Sequence, residues 1–483
     1  MSASQASQRR PARVAIVGSG PSGFYTAAAL LKQDRRPIEV DLYDRLPTPY
    51  GLVRGGVAPD HQNIKGVIRV YDKLARRDAL RFFGNVVVGR DVTIEELARH
   101  YDQIVIAAGN EGHRRMGIPG EDLSGVFSAT EFVGWYNGHP DYAARSFPLE
   151  TATRVAVVGN GNVAMDVTRV LAKRAERLAS TDIASYALDA LARSAAREVH
   201  VLGRRGPAEA AFTNKEVKEI GSLEDADLIV EPRDAELDDE SARWIAEHGT
   251  PGAKRNVEYL LEKSRETPRG RERRVQFRFM ISPIEFLGDH GTLDSVRLER
   301  NELFLDERGT PRPRGTGETW IEPFQMAFTA VGYRGLPIPG CPFDERAGIV
   351  PNVGGRLRGE DGAALPGLYA VGWAKRGPTG LIGDNVADAE ETARHMLEDL
   401  DRDLVTPGSP DRDAAHDGGE RAAIERLLET RGVRWVTFED WTRLDALEIE
   451  RGCELGKIRE KFSSVERMLD AIEKARGAAR ATD

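Results

Sequence analysis

The sequence predicts an α/β fold in which one strand–turn–helix unit is used twice, the second copy inserted into a discontinuous first. Three observations lead there. Residues 13–18, RVAIVG, form a short apolar, β-branched run that opens into a Gly-rich turn and an Ala/Leu-rich segment reaching Lys32. Residues 154–159, RVAVVG, restart the pattern and open into GNGNVAMDVTRVLAKRA. Beyond that copy lie two more apolar runs, QMAFTAVG at 325–332 and GLYAVG at 367–372, with the character of strands returning to the first unit. The division that follows gives residues 1–110 and 331–483 to the first unit and 111–330 to the inserted one, with a helical C-terminal extension from about residue 419.

The elements follow in order. Residues 38–43, IEVDLY, alternate apolar and polar as a strand does. A Pro/Gly loop, LPTPYGLVRGGVAPDH, leads to a helical stretch from about Gln62 to Arg76, and QIVIAAG at 103–109 reads as a buried strand. In the inserted unit EVHVLG at 198–203 is the next strand, EYLLEKSRE is helical, and further strands lie near 274–280 and 294–300. The polar stretch 307–318 reads as a hairpin tip or loop. Ala387 to Leu400 is helical, LVTPGSPDRDAAHDGG at 404–419 is a surface connection, and two or three amphipathic segments without evident chemistry follow.

Composition narrows the function. Of 483 residues 40% are hydrophobic, enough for real cores, and the net charge of −9 argues against a non-specific nucleic-acid binder. Cys341 and Cys453 stand far apart, which suggests no disulfide framework, zinc site or iron–sulfur cluster, and no paired thiols of the kind a flavin disulfide reductase uses. No apolar run reaches the roughly 18 residues that span a bilayer. The polar stretch Met1 to Ala12 lacks the apolar centre of a secretory signal, so the expectation is a soluble, cytoplasmic protein.

The two turns carry the chemistry. Gly18-Ser19-Gly20-Pro21-Ser22-Gly23 fits GxGxxG: Gly18 for the tight turn, Gly20 for close approach of a pyrophosphate, Gly23 for packing of helix on strand. The helix N-terminus offers free N–H groups to phosphate, and Asp44 ends the next strand, where an acid binds ribose hydroxyls. The second copy, Gly159-Asn160-Gly161-Asn162-Val163-Ala164, is GxGxxA, and its following strand ends in Arg204 and Arg205. A carboxylate there repels a 2′-phosphate, whereas two guanidiniums bind one with charge-assisted hydrogen bonds. One acidic and one doubly basic site imply FAD plus NADP(H) in two Rossmann-like domains, the NADP domain inserted into the FAD domain.

With VGSGPSGFYTA, PTPYGLVRGGVAPDH, GNVVVGRDVT, FVGWYNGHP, VVGNGNVAMDV, GRRGP with AFTNKE, VGYRGLP and VGWAKRGPTGLIGDN in view, the chain resembles adrenodoxin reductase and its bacterial NADPH–ferredoxin reductase relatives over essentially its whole length. Departures fall at Gly55, at Asn214 inside AFTNKE, and at Gly383 to Asn385, where the mammalian form is Thr-rich. The resemblance implies FAD contacts at Ser22, Asp44, Leu52, Val88, Trp373, Gly380, Leu381 and Ile382. It implies NADP contacts at Asn160, Gly161, Asn162, Val163, Arg204, Arg205, Glu216 and Gly380. The loop RGPTGLIG supports part of this independently, since its three glycines bring bare backbone against a flat ring.

Hydride transfer from nicotinamide to flavin needs position and dryness more than a nucleophile. His61, in APDH, is a candidate proton relay, because histidine takes up and gives up protons near neutral pH. Glu216, in TNKE, suits the nicotinamide carboxamide better than proton transfer. Asp166, on the helix after the second turn, either couples the two units or is structural. The acceptor implied by the resemblance is a small acidic iron–sulfur protein, with Lys218, Lys254 and Arg255 as candidate docking charges. Rival readings are a flavin disulfide reductase, against which the cysteine count argues, a flavin monooxygenase, and an electron-transfer subunit without independent turnover.

Overall fold

The computed structural model describes residues 10–410 and 419–482. Residues 1–9 of the polar N-terminal stretch and 411–418 of the expected surface connection lie outside the described residues.

The apolar run at the start becomes the strand Ala12–Val17, every residue of which is buried. Burial on both faces is what a central parallel strand requires. It pairs in parallel with Ile38–Tyr43 on one side and Gln103–Ile106 on the other. The full seven-stranded sheet runs Asn352–Val353, Arg356–Arg358, Ala364–Ala370, Gln103–Ile106, Ala12–Val17, Ile38–Tyr43, Leu80–Phe83. Strands from both ends of the chain thus share one sheet. The helices Pro21–Lys32 and Asn385–Asp401 cover it through Ala27, Leu30, Ala389 and Met396 against Val14, Ile16 and Val40.

A second, all-parallel sheet of six strands runs Val126–Ser128, Met326–Thr329, Arg154–Val158, Glu198–Leu202, Arg273–Arg278, Ala226–Val230. Its core joins Val155 and Val157 to Met165, Val170 and Leu171 of the helix Asn162–Ala172. A three-stranded antiparallel arm, Ile281–Leu287, Ser295–Leu305 and Pro311–Pro323, lies in sequence between its strands Arg273–Arg278 and Met326–Thr329.

Three expectations need correction. The run QMAFTAVG does not return to the first sheet: Met326–Thr329 pairs with Val126–Ser128 and Arg154–Val158 in the second. A fully apolar four-residue strand fits the middle of either parallel sheet, so its pattern does not choose between them. Of the polar stretch 307–318, residues 307–310 form the expected hairpin tip, but 311–318 are strand, because Pro311–Pro323 pairs with Ser295–Leu305 out in solvent, where polar side chains suffice. The helical stretch from Gln62 divides at Gly66 into Gln62–Lys65 and Ile68–Ala75.

The C-terminal segments are three helices, Gly419–Thr430, Phe438–Glu454 and Val465–Thr482. They complete the core of the first sheet through Ile424, Leu428, Trp441, Leu444, Met468 and Ile472. Among the described residues no helix is long and apolar enough to cross a membrane.

Candidate functional site

The first Gly-rich turn is shaped as its spacing requires. Gly18 has φ +115°, and a Cβ there would meet the Ala107 carbonyl oxygen at 2.3 Å. A Cβ on Gly23 would lie 2.1 Å from the Gly18 carbonyl oxygen, so the helix sits directly on the strand. Gly20 has open space on its Cβ side, and it precedes a helix with no side-chain cap. Backbone N–H groups at that helix start are therefore left for a ligand. Asp44 accepts from the backbone N–H of Ser19 at 3.1 Å and from its hydroxyl, and Leu46 N–H donates to it at 3.0 Å. Burial raises its carboxyl from the ordinary value, against the pull of those donors.

Distant segments close around this turn. Tyr50 N–H donates to the Ser19 carbonyl at 3.0 Å, which sets Gly51, and with it Leu52, against Gly20. Leu52 is 38% exposed, whereas Val88 is buried in the core beside the first sheet. At the end of the strand Ala364–Ala370, a Cβ on Gly372 would meet the Ser22 hydroxyl at 1.9 Å. Trp373 therefore opens its short helix next to the first turn. The Ser22 hydroxyl donates to Asn385 Oδ1 at 2.9 Å, and Asn385 Nδ2 donates back to the carbonyls of Leu381 and Ile382. Gly380 (φ +82°), Leu381 and Ile382 are thus held at the same turn by a side chain that sequence reading counted only as a departure. Its signal was its place just after the Gly-rich loop.

The second turn repeats the geometry. Gly159 has φ +125° and a Cβ there would meet the Ala330 carbonyl oxygen at 2.5 Å, a Cβ on Gly161 would face open space, and Ala164 is fully buried at the packing position. Asn160 accepts Ala211 N–H through its carbonyl at 3.2 Å, and Asn162 accepts Thr213 N–H through its side chain at 2.9 Å. These bonds bring the start of the helix Asn214–Gly221 against Asn162 and Val163. At the end of Glu198–Leu202, Arg204 is exposed and Arg205 half-buried. Among the described residues neither guanidinium has an ion-pair partner within 4.0 Å. Burial and then the charge of Arg204 lower Arg205 below its ordinary value. Glu209 pulls the other way on Arg205 but forms no ion pair with it within 4.0 Å, so the two adjacent guanidiniums keep donors free.

An ion cluster joins the two units, built on Arg169, whose side chain is 1% exposed. Its Nε donates to Asp60 at 2.8 Å, its Nη1 to Glu216 at 3.0 Å, and its Nη2 to Asp166 at 2.6 Å. Lys173 also donates to Asp60. His61 Nε2 lies 2.7 Å from Glu219 Oε2, and its Nδ1 lies 3.4 Å from Arg169 Nη2. A guanidinium only donates, so Nδ1 accepts and Nε2 is left to donate to Glu219. Burial, then the neighbouring Asp166, raises Glu216, and burial raises Asp166. Burial works against Asp60 as well, yet Arg169 and Lys173 hold it well below the carboxylate range. The side chains of His61, Glu216 and Glu219 approach one another closely enough to share a cation, and the cation among them is Arg169.

The structure thus gathers His61, Asp166 and Glu216 at one place, with Asp60 and His61 from the first unit and the rest from the second. Sequence reading missed Arg169, Asp60 and Glu219. Their signals were slight: Arg169 stands three residues after Asp166, Glu219 three after Glu216, and Asp60 next to His61. Lys218, Lys254 and Arg255 are all exposed, on the helices Asn214–Gly221 and Pro251–Lys263. The bond from Asn214 Nδ2 to Asn256 Oδ1, 3.1 Å, holds those helices side by side.

Two Gly-rich turns, one closed by Asp44 and the other by Arg204 and Arg205, together with a buried ion cluster made by both units, define a two-nucleotide oxidoreductase. The pyridine nucleotide-disulphide oxidoreductase family matches residues 12–220. The chain is 42% identical over 467 residues to the NADPH-ferredoxin reductase FprA of Mycobacterium tuberculosis, covering 95% of this chain and 99% of that protein. It is 41% identical over 474 residues to the human mitochondrial NADPH:adrenodoxin oxidoreductase, covering 96% and 92%. The solved structure of Mycobacterium tuberculosis FprA in complex with NADPH superposes with a TM-score of 0.88 at 40% identity, covering 96% of this chain and all of that one. The chain belongs to the family of NADPH–ferredoxin and adrenodoxin reductases. It has no thiol pair for disulfide chemistry: Cys453 is exposed, and burial pushes the Cys341 thiol up to about 12.

Proposed function

We propose that the chain is an NADPH-dependent ferredoxin reductase, in which bound FAD accepts a hydride from NADPH and releases electrons singly to a ferredoxin-type iron–sulfur protein. One observation carries the reading: Asp44 closes the first turn, whereas two guanidiniums that have no ion-pair partner among the described residues close the second. The first accommodates the ribose hydroxyls of FAD and the second the 2′-phosphate of NADP(H). The residues fit both nucleotides, since Gly20 and Gly161 leave open backbone where a pyrophosphate must approach closely.

In this reading Ser22, Asp44, Leu52, Val88, Trp373, Gly380, Leu381 and Ile382 hold FAD. Asn160 to Val163, Arg204, Arg205 and Glu216 hold NADP(H). Arg169 orients Glu216 and Asp166 and keeps the buried carboxylates compensated. His61 relays a proton, Nε2 giving one to Glu219 as Nδ1 takes one up, or the reverse, so that the imidazole stays neutral overall; the Glu219 side chain is 31% exposed and so links the buried ring to solvent. Lys218, Lys254 and Arg255 form the acceptor's docking patch, supported by their exposure on adjoining helices. Heat-released flavin from the purified protein is expected to chromatograph as FAD, NADPH to be preferred over NADH, and at least one of a panel of ferredoxins to be reduced. Release of FMN, or a preference for NADH, overturns the reading.

A further inference from the structure

The turn that carries Arg204 and Arg205 is held by the strands that follow it, not by its own side chains. Three consecutive carbonyls are each tied. Ile281 N–H donates to the Gly203 carbonyl at 3.0 Å, Asn301 Nδ2 to the Arg204 carbonyl at 2.8 Å, and Met280 N–H to the Arg205 carbonyl at 3.2 Å. Two of these donors are backbone groups that any sequence supplies. The third is a side chain from Ser295–Leu305, far along the chain in the antiparallel arm. Asn301 is 5% exposed. Its backbone N–H donates to the Met280 carbonyl at 2.8 Å, and its Nδ2 also donates to the Ser282 hydroxyl at 2.8 Å. The arm's pairing with Pro311–Pro323 is irregular between Glu299 and Asn301, at the point where the strand meets the turn. Met280, opposite, has φ +57°, so the chain bends sharply on both sides of this contact.

We infer that Asn301 is a positioning residue for coenzyme selection: it fixes the Arg204 carbonyl so that two mutually repelling guanidiniums stay aimed at one 2′-phosphate. Adjacent cations splay apart when their backbone is free. Ordering them in advance removes that cost from binding and does so only for a nucleotide that carries the 2′-phosphate. The inference rests on the reading of Arg204 and Arg205 as the 2′-phosphate site.

The test uses the FAD-loaded enzyme and two probes, 2′,5′-ADP and 5′-AMP, with affinities measured by calorimetry. Asn301→Leu keeps the volume and removes the donor. It is expected to weaken 2′,5′-ADP by about tenfold, the scale of one lost hydrogen bond, while 5′-AMP changes far less. The KM for NADPH should rise in step without a matching fall in kcat. Equal losses for both probes, or none, overturn the inference. Should Asn301→Leu not fold, Asn301→Ala removes the same Nδ2 donor without adding apolar bulk and is read by the same ratio, a lower 2′,5′-ADP preference supporting the inference and an unchanged one overturning it. The double variant Arg204→Ala with Arg205→Ala separates the two failures. If it leaves the probe ratio intact, the phosphate-site reading itself falls; if it collapses the ratio while the Asn301 variant does not, only the positioning role falls.

Discussion

Arg169 lies one helical turn beyond Asp166, and its guanidinium reaches Asp60 of the first unit and Glu216 of the second. In sequence such an Arg reads as half of a surface i, i+3 pair. Only its burial, with four carboxylates around it, makes it the centre of the site. His61, Asp166 and Glu216 were singled out in sequence from APDH, from the helix after the second Gly-rich turn and from TNKE, and the structure places them in one cluster around Arg169. Which atom each would meet was not legible, because the contacts are made across separate segments: His61 meets Arg169 and Glu219 of the second unit, and Glu216 meets Arg169 from a different helix. Two outcomes belong to this scale. Arg204→Ala with Arg205→Ala should raise the KM for NADPH at least tenfold, since two charge-assisted hydrogen bonds of about 1.5–3 kcal/mol each are lost; the NADH KM is the comparison, and an equal loss for both coenzymes would sink the assignment. His61→Ala should slow NADPH–ferricyanide and ferredoxin-coupled reduction by the same factor, up to the roughly hundredfold that a positioned acid–base group contributes. A loss confined to the ferredoxin assay would move His61 from proton transfer to partner binding.

The helices Asn214–Gly221 and Pro251–Lys263 show how one element serves two tasks. The inner face of the first places Glu216 and Glu219 in the ion cluster. Its outer face carries Lys218, whose ammonium lies 6.0 Å from the Tyr259 ring of the neighbouring helix. Reversing Lys218 and Arg255 to Glu should therefore depress ferredoxin-coupled cytochrome c reduction and spare ferricyanide reduction, because a small ion needs no patch. The ferredoxin assay of the unaltered enzyme should also fall as salt rises, since exposed charges are screened beyond about 8 Å at physiological ionic strength. Charge reversal that harms both assays equally would show that these residues support the fold or the coenzyme site instead. The C-terminal elements carried no chemical signal in sequence, yet the segment after Phe438–Glu454 crosses to the inserted unit. Lys457 Nζ donates to the Ile183 carbonyl at 2.5 Å, and Glu460 accepts the Ser185 hydroxyl at 2.8 Å.

At the scale of the molecule, the two sheets are joined by buried charge as well as by chain. Asp182 of the inserted unit receives Gln62 at 2.7 Å, Lys65 at 2.7 Å and Lys461 at 2.9 Å. Two ammoniums thus share one carboxylate. Asp182→Asn leaves both uncompensated and should cost about 3–5 kcal/mol, whereas Lys461→Met leaves a balanced pair and should cost less. Denaturant midpoints of the FAD-loaded variants compare them, and the reverse order would dismiss the charge argument. Burial, against the pull of Asp182, pushes Lys461 down to about 7. An unfolded lysine keeps its proton to about pH 10.4, so between those values the unfolded chain binds the extra proton and stability rises with pH. Raising the pH from 7 to 9 should therefore stabilise the native enzyme more than Lys461→Met, and equal shifts would contradict the assignment.

The sequence by itself determined the two Gly-rich turns, the strands that enter them, the acid that closes one and the arginines that close the other. Those are local features: a turn needing φ above zero, a strand buried on both faces and a helix start without a cap are written in neighbouring residues. The tertiary structure alone decided which sheet received Met326–Thr329, since a short apolar strand satisfies either one. It also decided that Arg169 would be buried among carboxylates, that Asn385 would anchor the Gly380 loop to Ser22, and that Asn301 would hold the Arg204 carbonyl. Each is a polar contact across a long stretch of chain, and no periodicity records it. Its partner is chosen by whichever hydrogen-bonding group the packed sheets leave facing it, where an unmatched buried group would cost too much to remain.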